Sequence, residues 1–310
     1  MTFTTRLKEE ISKLENNDLE ARSILEAFLR YNALIKKSIT ITLENASVTR
    51  FIYKLLKETF DISPKITVRI QKRFRIKQIY ILEVNEKVDF IINNLNINSN
   101  PMLDSDEDKI AYLKGAFLGI GNVSNPKTSG YHLEFILNKE SDAMYISDIL
   151  NYFKLNAKVI KRGYKYISYI KMSESISDLI KMFKAINSLF EFEDTRIYRD
   201  HKNMVNRLNN CEIANQEKTI KSGLSQLEDI KYLEDNDLLN LLDEKMQLVI
   251  NYRKKYPESS YQELSEIISL ETDYKVGKSG INHHFIKLRK IKENHLNIEK
   301  KKIWKKQTLL

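Results

Sequence analysis

The first 190 residues of this chain are written twice, and that duplication constrains the fold more than any single motif. In the first copy, residues 22–34 carry apolar side chains at helical spacing, 39–43 alternate as a strand does, and 47–60 return to helical spacing before Ser63-Pro64 breaks it. Two strands follow, 65–71 and 77–84, joined by a basic turn at Lys72, Arg73, Phe74 and Arg75, and residues 88–95 close the copy as a helix. The second copy keeps that order: helix 106–119, strand 131–137, helix 142–153, a hairpin of 157–161 and 164–170 turning at Gly163, and helix 175–183. Leu25 and Leu113 stand 88 residues apart, Ile66 and Ala157 91 apart. A constant element order at a nearly constant offset marks a repeated supersecondary unit.

Beyond the repeat, residues 199–233 form a polar helical stretch that reads as a connector. A third region begins near Asn236, with Leu238, Leu239, Leu242, Met246, Val249 and Ile250 at helical spacing and a stop at Pro257. Ser260 and Glu263 make a capping-box pair opening a helix that turns Leu264, Ile267 and Ile268 inward. After a loop at 271–277 comes a short helix with Ile281, Phe285 and Leu288 on one face. The expected division is 1–97 and 98–192 for the two copies, 193–235 for the connector, 236–295 for a helical domain and 296–310 for a basic tail.

Composition narrows the function classes. The net charge of +9 resides in one place: residues 275–306 hold eleven Lys or Arg against Glu293 and Glu299, so the rest of the chain sums to zero. Such a block suits a polyanion, nucleic acid before membrane, although a solvated lysine tail has the same composition. No apolar run approaches the roughly 20 residues of a membrane span. The N-terminus lacks the apolar core of a signal peptide, so a cytoplasmic, nucleoid-associated protein is expected, with no membrane and no small-molecule substrate. Cys211 stands alone, which excludes an internal disulfide and a cysteine zinc cluster.

The sharpest local feature is Tyr112-Leu113-Lys114-Gly115-Ala116-Phe117-Leu118-Gly119-Ile120-Gly121-Asn122. Gly115 and Gly119 lie four apart, on one helix face, where missing side chains admit a partner helix closely. Periodicity alone favours an ordinary helix ending in a glycine cap. With its looser counterpart Leu25-Glu26-Ala27-Phe28-Leu29-Arg30-Tyr31-Asn32-Ala33, however, the segment resembles the LAGLIDADG homing endonucleases. It resembles more closely their non-cleaving relative, the WhiA family of sporulation and cell-division regulators. The likeness extends to about His295. Its most specific segment is Asn203-Met204-Val205-Asn206-Arg207-Leu208-Asn209-Asn210-Cys211-Glu212-Ile213-Ala214-Asn215, and Gly277-Lys278-Ser279-Gly280-Ile281-Asn282-His283-His284 matches the family's final motif.

The resemblance implies an α+β fold: a duplicated LAGLIDADG-like αββαββα-type domain with saddle-shaped antiparallel sheets, followed by an all-α helix-turn-helix domain. In cutting relatives each glycine-motif helix ends on an acid that holds Mg²⁺. Registering the motif places Asn32 and Ile120 there. Magnesium needs hard oxygen ligands, which an amide supplies poorly and isoleucine not at all. The acids Asp104, Asp106, Glu107 and Asp108 fall at the other end of the helix, where they favour its dipole. No metal, cofactor or catalytic residue is therefore expected.

In a helix-turn-helix the second helix enters the major groove by its N-terminal part. That assigns DNA contact to Lys278, Ser279, Asn282, His283, Lys287, Arg289 and Lys290. Asn282 is suited to a bidentate contact with adenine, and Lys287, Arg289, Lys290 and Lys292 lie towards phosphates. A generic helical hairpin with a basic rim remains the alternative. A second DNA surface is expected on the hairpins, from Arg69, Lys72, Arg73, Arg75 and Lys77 in one copy and Lys161, Arg162 and Lys165 in the other. The same face also suits a protein partner. Tyr164, Tyr166 and Tyr169 read as packing residues, Cys211 as a small packed residue, and the asparagine-rich run either as amides bonding between domains or as backbone contacts to DNA.

The function expected is binding of double-stranded DNA in transcription control, cell division, chromosome segregation and sporulation, with other regulatory or cell-division proteins as partners. An active homing endonuclease and a protein-interaction scaffold are the competing classes.

Overall fold

A helix not singled out by periodicity opens the chain. In the computed structural model, which describes residues 1–71, 77–99, 101 and 103–307, α1 (Phe3–Ile11) starts where the Thr2 hydroxyl accepts from the Thr5 amide. It buries Phe3, Leu7 and Ile11. The first copy follows as α2 (Asp18–Asn32), β1 (Ala33–Ile35), β2 (Ile39–Leu43), α3 (Ala46–Phe60), β3 (Lys65–Gln71), β4 (Lys77–Val84) and α4 (Val88–Asn94). The second is α5 (Asp106–Ile120), β5 (Gly121–Val123), β6 (Leu133–Leu137), α6 (Glu140–Tyr152), β7 (Lys158–Arg162), β8 (Lys165–Ile170) and α7 (Ser173–Met182). Each copy is thus αββαββα. The strands β1 and β5 escape a reading by alternation because three residues are too few to show it.

The two copies start alike. A capping box of Asn17 and Glu20 opens α2, and one of Ser105 and Asp108 opens α5, so two early amides find side-chain acceptors in each. Both helices are 15 residues long and run directly into a short strand. They pack against each other where the glycines permit: a Cβ added to Gly115 would lie 2.2 Å from the Ile24 carbonyl oxygen. The bland reading of the glycine motif as an isolated cap is therefore set aside.

Each copy forms a four-stranded antiparallel sheet, ordered β1-β2-β4-β3 and β5-β6-β8-β7. Register fixes the faces. Ile39, Ile41 and Leu43 pair with Val84, Leu82 and Tyr80 and turn towards the helices; Leu133, Phe135 and Leu137 pair with Ile170, Ser168 and Tyr166 and do the same. One continuous core joins both copies and takes in α1 and the first turns of the long helix α8 (Ile186–Asp235), through Phe192. There Arg6 pairs with Glu191 at 2.7 Å, and Glu10 accepts from the Asn187 and Ser188 amides.

The chain divides into two units, 1–201 and 202–310. The second is built from the C-terminal part of α8, a 3-10 turn at Leu239–Leu241, α9 (Glu244–Lys255), α10 (Tyr261–Glu271) and α11 (Lys278–Gln307). Its own core gathers Ile230, Leu233, Met246, Val249, Ile250, Leu264, Ile268, Ile281, Phe285 and Leu288. Three expectations are corrected. The connecting helix, expected over 193–235 with its helical stretch from 199, begins at Ile186; the last helix, expected to be short, runs from Lys278 to Gln307; and the basic tail is helical through that residue. Among the described residues, no helix is long and apolar enough to cross a membrane.

Candidate nucleic-acid interface

The second unit positions α11 by a set of polar clamps. Ser260 and Glu263 cap α10 reciprocally, at 3.2 and 2.6 Å. The loop 272–277 is six residues long, but it is pinned: Ser265 Oγ donates to the Val276 carbonyl at 2.5 Å, Thr272 Oγ1 to the Ile268 carbonyl at 2.7 Å, and the Lys275 ammonium to the Ser269 carbonyl. Tyr274 and His284 share a hydrogen bond of 2.9 Å, and burial holds the His284 imidazole below its usual pKa. A longer loop thus does the work of the usual tight turn.

Arg253 carries the largest role that sequence reading missed. It is 1% exposed, and its guanidinium Nη1 donates to the carbonyls of Tyr256, Pro257 and Ser259 at 3.2, 3.2 and 2.6 Å. The group also lies 5.6 Å from the Phe285 ring centroid and 6.0 Å from that of Tyr261. One buried cation therefore ties the α9–α10 turn to α11. The signal in the sequence is faint, an arginine at the buried edge of an apolar stripe.

On α11, Ile281, Phe285 and Leu288 are buried, and Lys278, Ser279, Asn282, His283, Lys287, Arg289 and Lys290 are exposed. These seven divide. Lys278, Ser279, Asn282, His283 and Lys290 have no ion-pair partner among the described residues. Lys287 pairs with Asp243 at 3.3 Å and Arg289 with Asp229 at 3.5 Å. Lys292, expected to lie towards phosphates, is instead half-buried against Asp229 at 2.6 Å and over the Tyr232 ring. These pairs fix the rotation of α11 and leave its first two turns open to solvent.

In the first unit the positions that would carry metal-binding acids end their helices, Asn32 closing α2 and Ile120 closing α5. A Cβ on Gly119 would stand 3.2 Å from that of Asn32, so the two helix ends meet. The adjoining cleft, about 530 Å³, is lined by Lys8, Glu9, Asn32, Glu44 and Gly119 among others. Burial lowers the Lys8 ammonium to about 8. Among the described residues, no cluster of three His, Cys, Asp or Glu is placed to hold a metal ion. Glu26, two turns from its helix end, is buried and paired with Arg30 at 3.0 Å.

The hairpin bases do not form one set. Lys72, Arg73 and Arg75 lie outside the described residues, as does the side chain of Lys77. Arg69 is exposed on the sheet face away from the helices, as are Arg162 and Lys165, whose ammonium bonds to Asn138. Lys161 falls on the opposite face, over the Tyr166 ring. Two packing expectations fail: Tyr164 is 98% exposed and Cys211 is exposed. Residues 201–218 are exposed throughout, and among the described residues Asn203, Asn206, Asn209 and Asn210 bond to no other side chain.

The fold and the clamped α11 define a class: a duplicated LAGLIDADG-like scaffold, degenerate at its acid positions, joined to a helix-turn-helix. Residues 19–98 match the WhiA N-terminal LAGLIDADG-like domain, 109–202 the WhiA LAGLIDADG-like domain, and 205–292 the WhiA C-terminal HTH domain. The chain belongs to the WhiA family. It is 36% identical over 309 residues to a probable cell division protein WhiA of Lactobacillus acidophilus, covering 94% of this chain and 98% of that one. It is 38% identical over 309 residues to the corresponding protein of Bacillus subtilis, covering 94% and 96%. The crystal structure of full-length DUF199/WhiA from Thermatoga maritima shares the fold, with a TM-score of 0.55 at 23% identity over 95% of this chain and 99% of that one.

Proposed function

We propose that this protein is a duplex-DNA-binding regulator of cell division that reads sequence through the first turns of α11 and cuts nothing. The observation that carries the reading is the exposed, unpaired set Lys278, Ser279, Asn282, His283 and Lys290 on a helix whose other face is locked by Arg253, Asp229 and Asp243. A rigid helix with a polar, basic leading edge fits the major groove. Transcription control, chromosome segregation and sporulation are the processes such a reader serves in this reading. The absence of cutting rests on Asn32 and Ile120, neither of which supplies the carboxylate that magnesium requires.

Selection of bound sequences from a random duplex pool tests it. Wild-type protein should enrich a motif, and Asn282→Ala should flatten one position of that motif, at a cost of about 1–3 kcal/mol on the best site. Lys290→Ala should weaken all duplexes alike and lower the log–log salt slope by about 0.9. An unchanged motif with Asn282→Ala would remove base reading from α11.

A further inference from the structure

The two sheets arose from one unit, so equivalent positions on them compare like with like. On the face away from the helices, the first sheet places Thr42, Ile81 and Thr67 side by side across β2, β4 and β3. The second places Ile136, Ile167 and Ile160 in the same row across β6, β8 and β7. Two hydrogen-bonding side chains in one copy stand as two aliphatic ones in the other. Ile160 is 51% exposed and Ile136 39%, while Ile167 between them is 5% exposed although it lies outside the main core. The row is a small apolar strip on a face that should otherwise be polar.

Its surroundings are basic. Lys158 stands in the row on one side, Arg162 and Lys165 in the row on the other, and Tyr164 projects from the hairpin tip between them. The acid on this face, Glu134, is engaged by His132 at 3.1 Å and Asn122 at 3.2 Å. Tyrosine and arginine around an apolar centre are the residues that anchor protein interfaces. A duplex surface of phosphates gains little from three isoleucines. β7 is also the last strand of its sheet, pairing only with β8 among the described residues, so its outer edge offers unpaired backbone groups.

We propose that this face of the second sheet is a protein-docking surface, on which an extended acidic segment of another polypeptide adds to β7. On the face it shares with Lys158, Ile160 and Arg162, the added strand sets an aliphatic or aromatic residue beside Ile160 and, two positions to either side of it, Asp or Glu beside Lys158 and Arg162, with a further apolar residue reaching Tyr164. Arg162 and Lys165 then leave the second DNA surface expected from sequence. The inference does not depend on DNA reading by α11.

The test pans a displayed library of random short peptides on the full-length protein and on its Ile160→Asp and Tyr164→Ser variants. Both positions are exposed, and an unchanged melting temperature verifies that each variant folds. Enriched peptides should carry an apolar residue with Asp or Glu two positions to either side of it. As synthetic peptides they should lose about tenfold in affinity on either variant, weaken further on Arg162→Ala, and weaken with salt. Binding of a short duplex should be the same for all variants. Enrichment of basic or neutral peptides, no enrichment, or equal binding to the variants would overturn the proposal. So would loss of duplex binding, or self-association, that Ile160→Asp abolishes.

Discussion

Single side chains settle what the duplicated scaffold is able to do. Gly115 meets a backbone carbonyl that cannot yield, so Gly115→Ala should destabilise the first unit by about 1–3 kcal/mol in a denaturant titration. A change within a few tenths of a kcal/mol would mean that α2 and α5 approach less closely than described. Lys8 makes a different prediction. Its buried ammonium titrates near 8 rather than 10.5, so between those values the unfolded chain binds the proton that the folded chain has released. The cost of charging Lys8 is full below about 8 and fades as pH rises towards 10.5. Stability of the wild type relative to Lys8→Met should therefore climb through that window, and parallel curves would contradict it. Asn32 and Ile120 were named by the family resemblance, and their shared offset of 88 residues is why both fall at the ends of equivalent helices. Arg253 was not legible, since its place at the edge of an apolar stripe is the one local hint that its guanidinium meets three carbonyls rather than solvent.

At the scale of elements, the reading turned on length. Segments with several alternations or helical turns, such as β2, α3, β8 and α10, were recognised by their periods. The three-residue strands β1 and β5 were not, and only the family resemblance supplied them. The two long helices were underestimated for one reason: α8 and α11 are polar over much of their length, so their apolar stripes stop before their hydrogen bonding does. α11 depends on the turn before α10. Arg253→Ala leaves three carbonyls without their donor and opens a cavity beside Phe285, and should cost the second unit about 3 kcal/mol. Gly223→Ala should act on the same joint, because its Cβ would fall 2.1 Å from the Pro257 carbonyl oxygen. Hydrogen exchange of the α10 and α11 amides measures both, and protection equal to wild type would show that the joint is held some other way.

At the scale of the whole molecule, a duplicated LAGLIDADG-like scaffold keeps its helix pair and sheets, and the two helices end on Asn32 and Ile120 rather than on acids. In the proposed function, DNA falls to the clamped helix of the second unit. The two ideas meet in one gel: supercoiled plasmid titrated with full-length protein in Mg²⁺, alongside a Lys278→Glu/Lys290→Glu variant. The account predicts a mobility shift by the wild type that the variant loses, with every circle still closed once protein is stripped away. Nicked or linear plasmid that a chelator prevents, or a shift that survives in the variant, would contradict it.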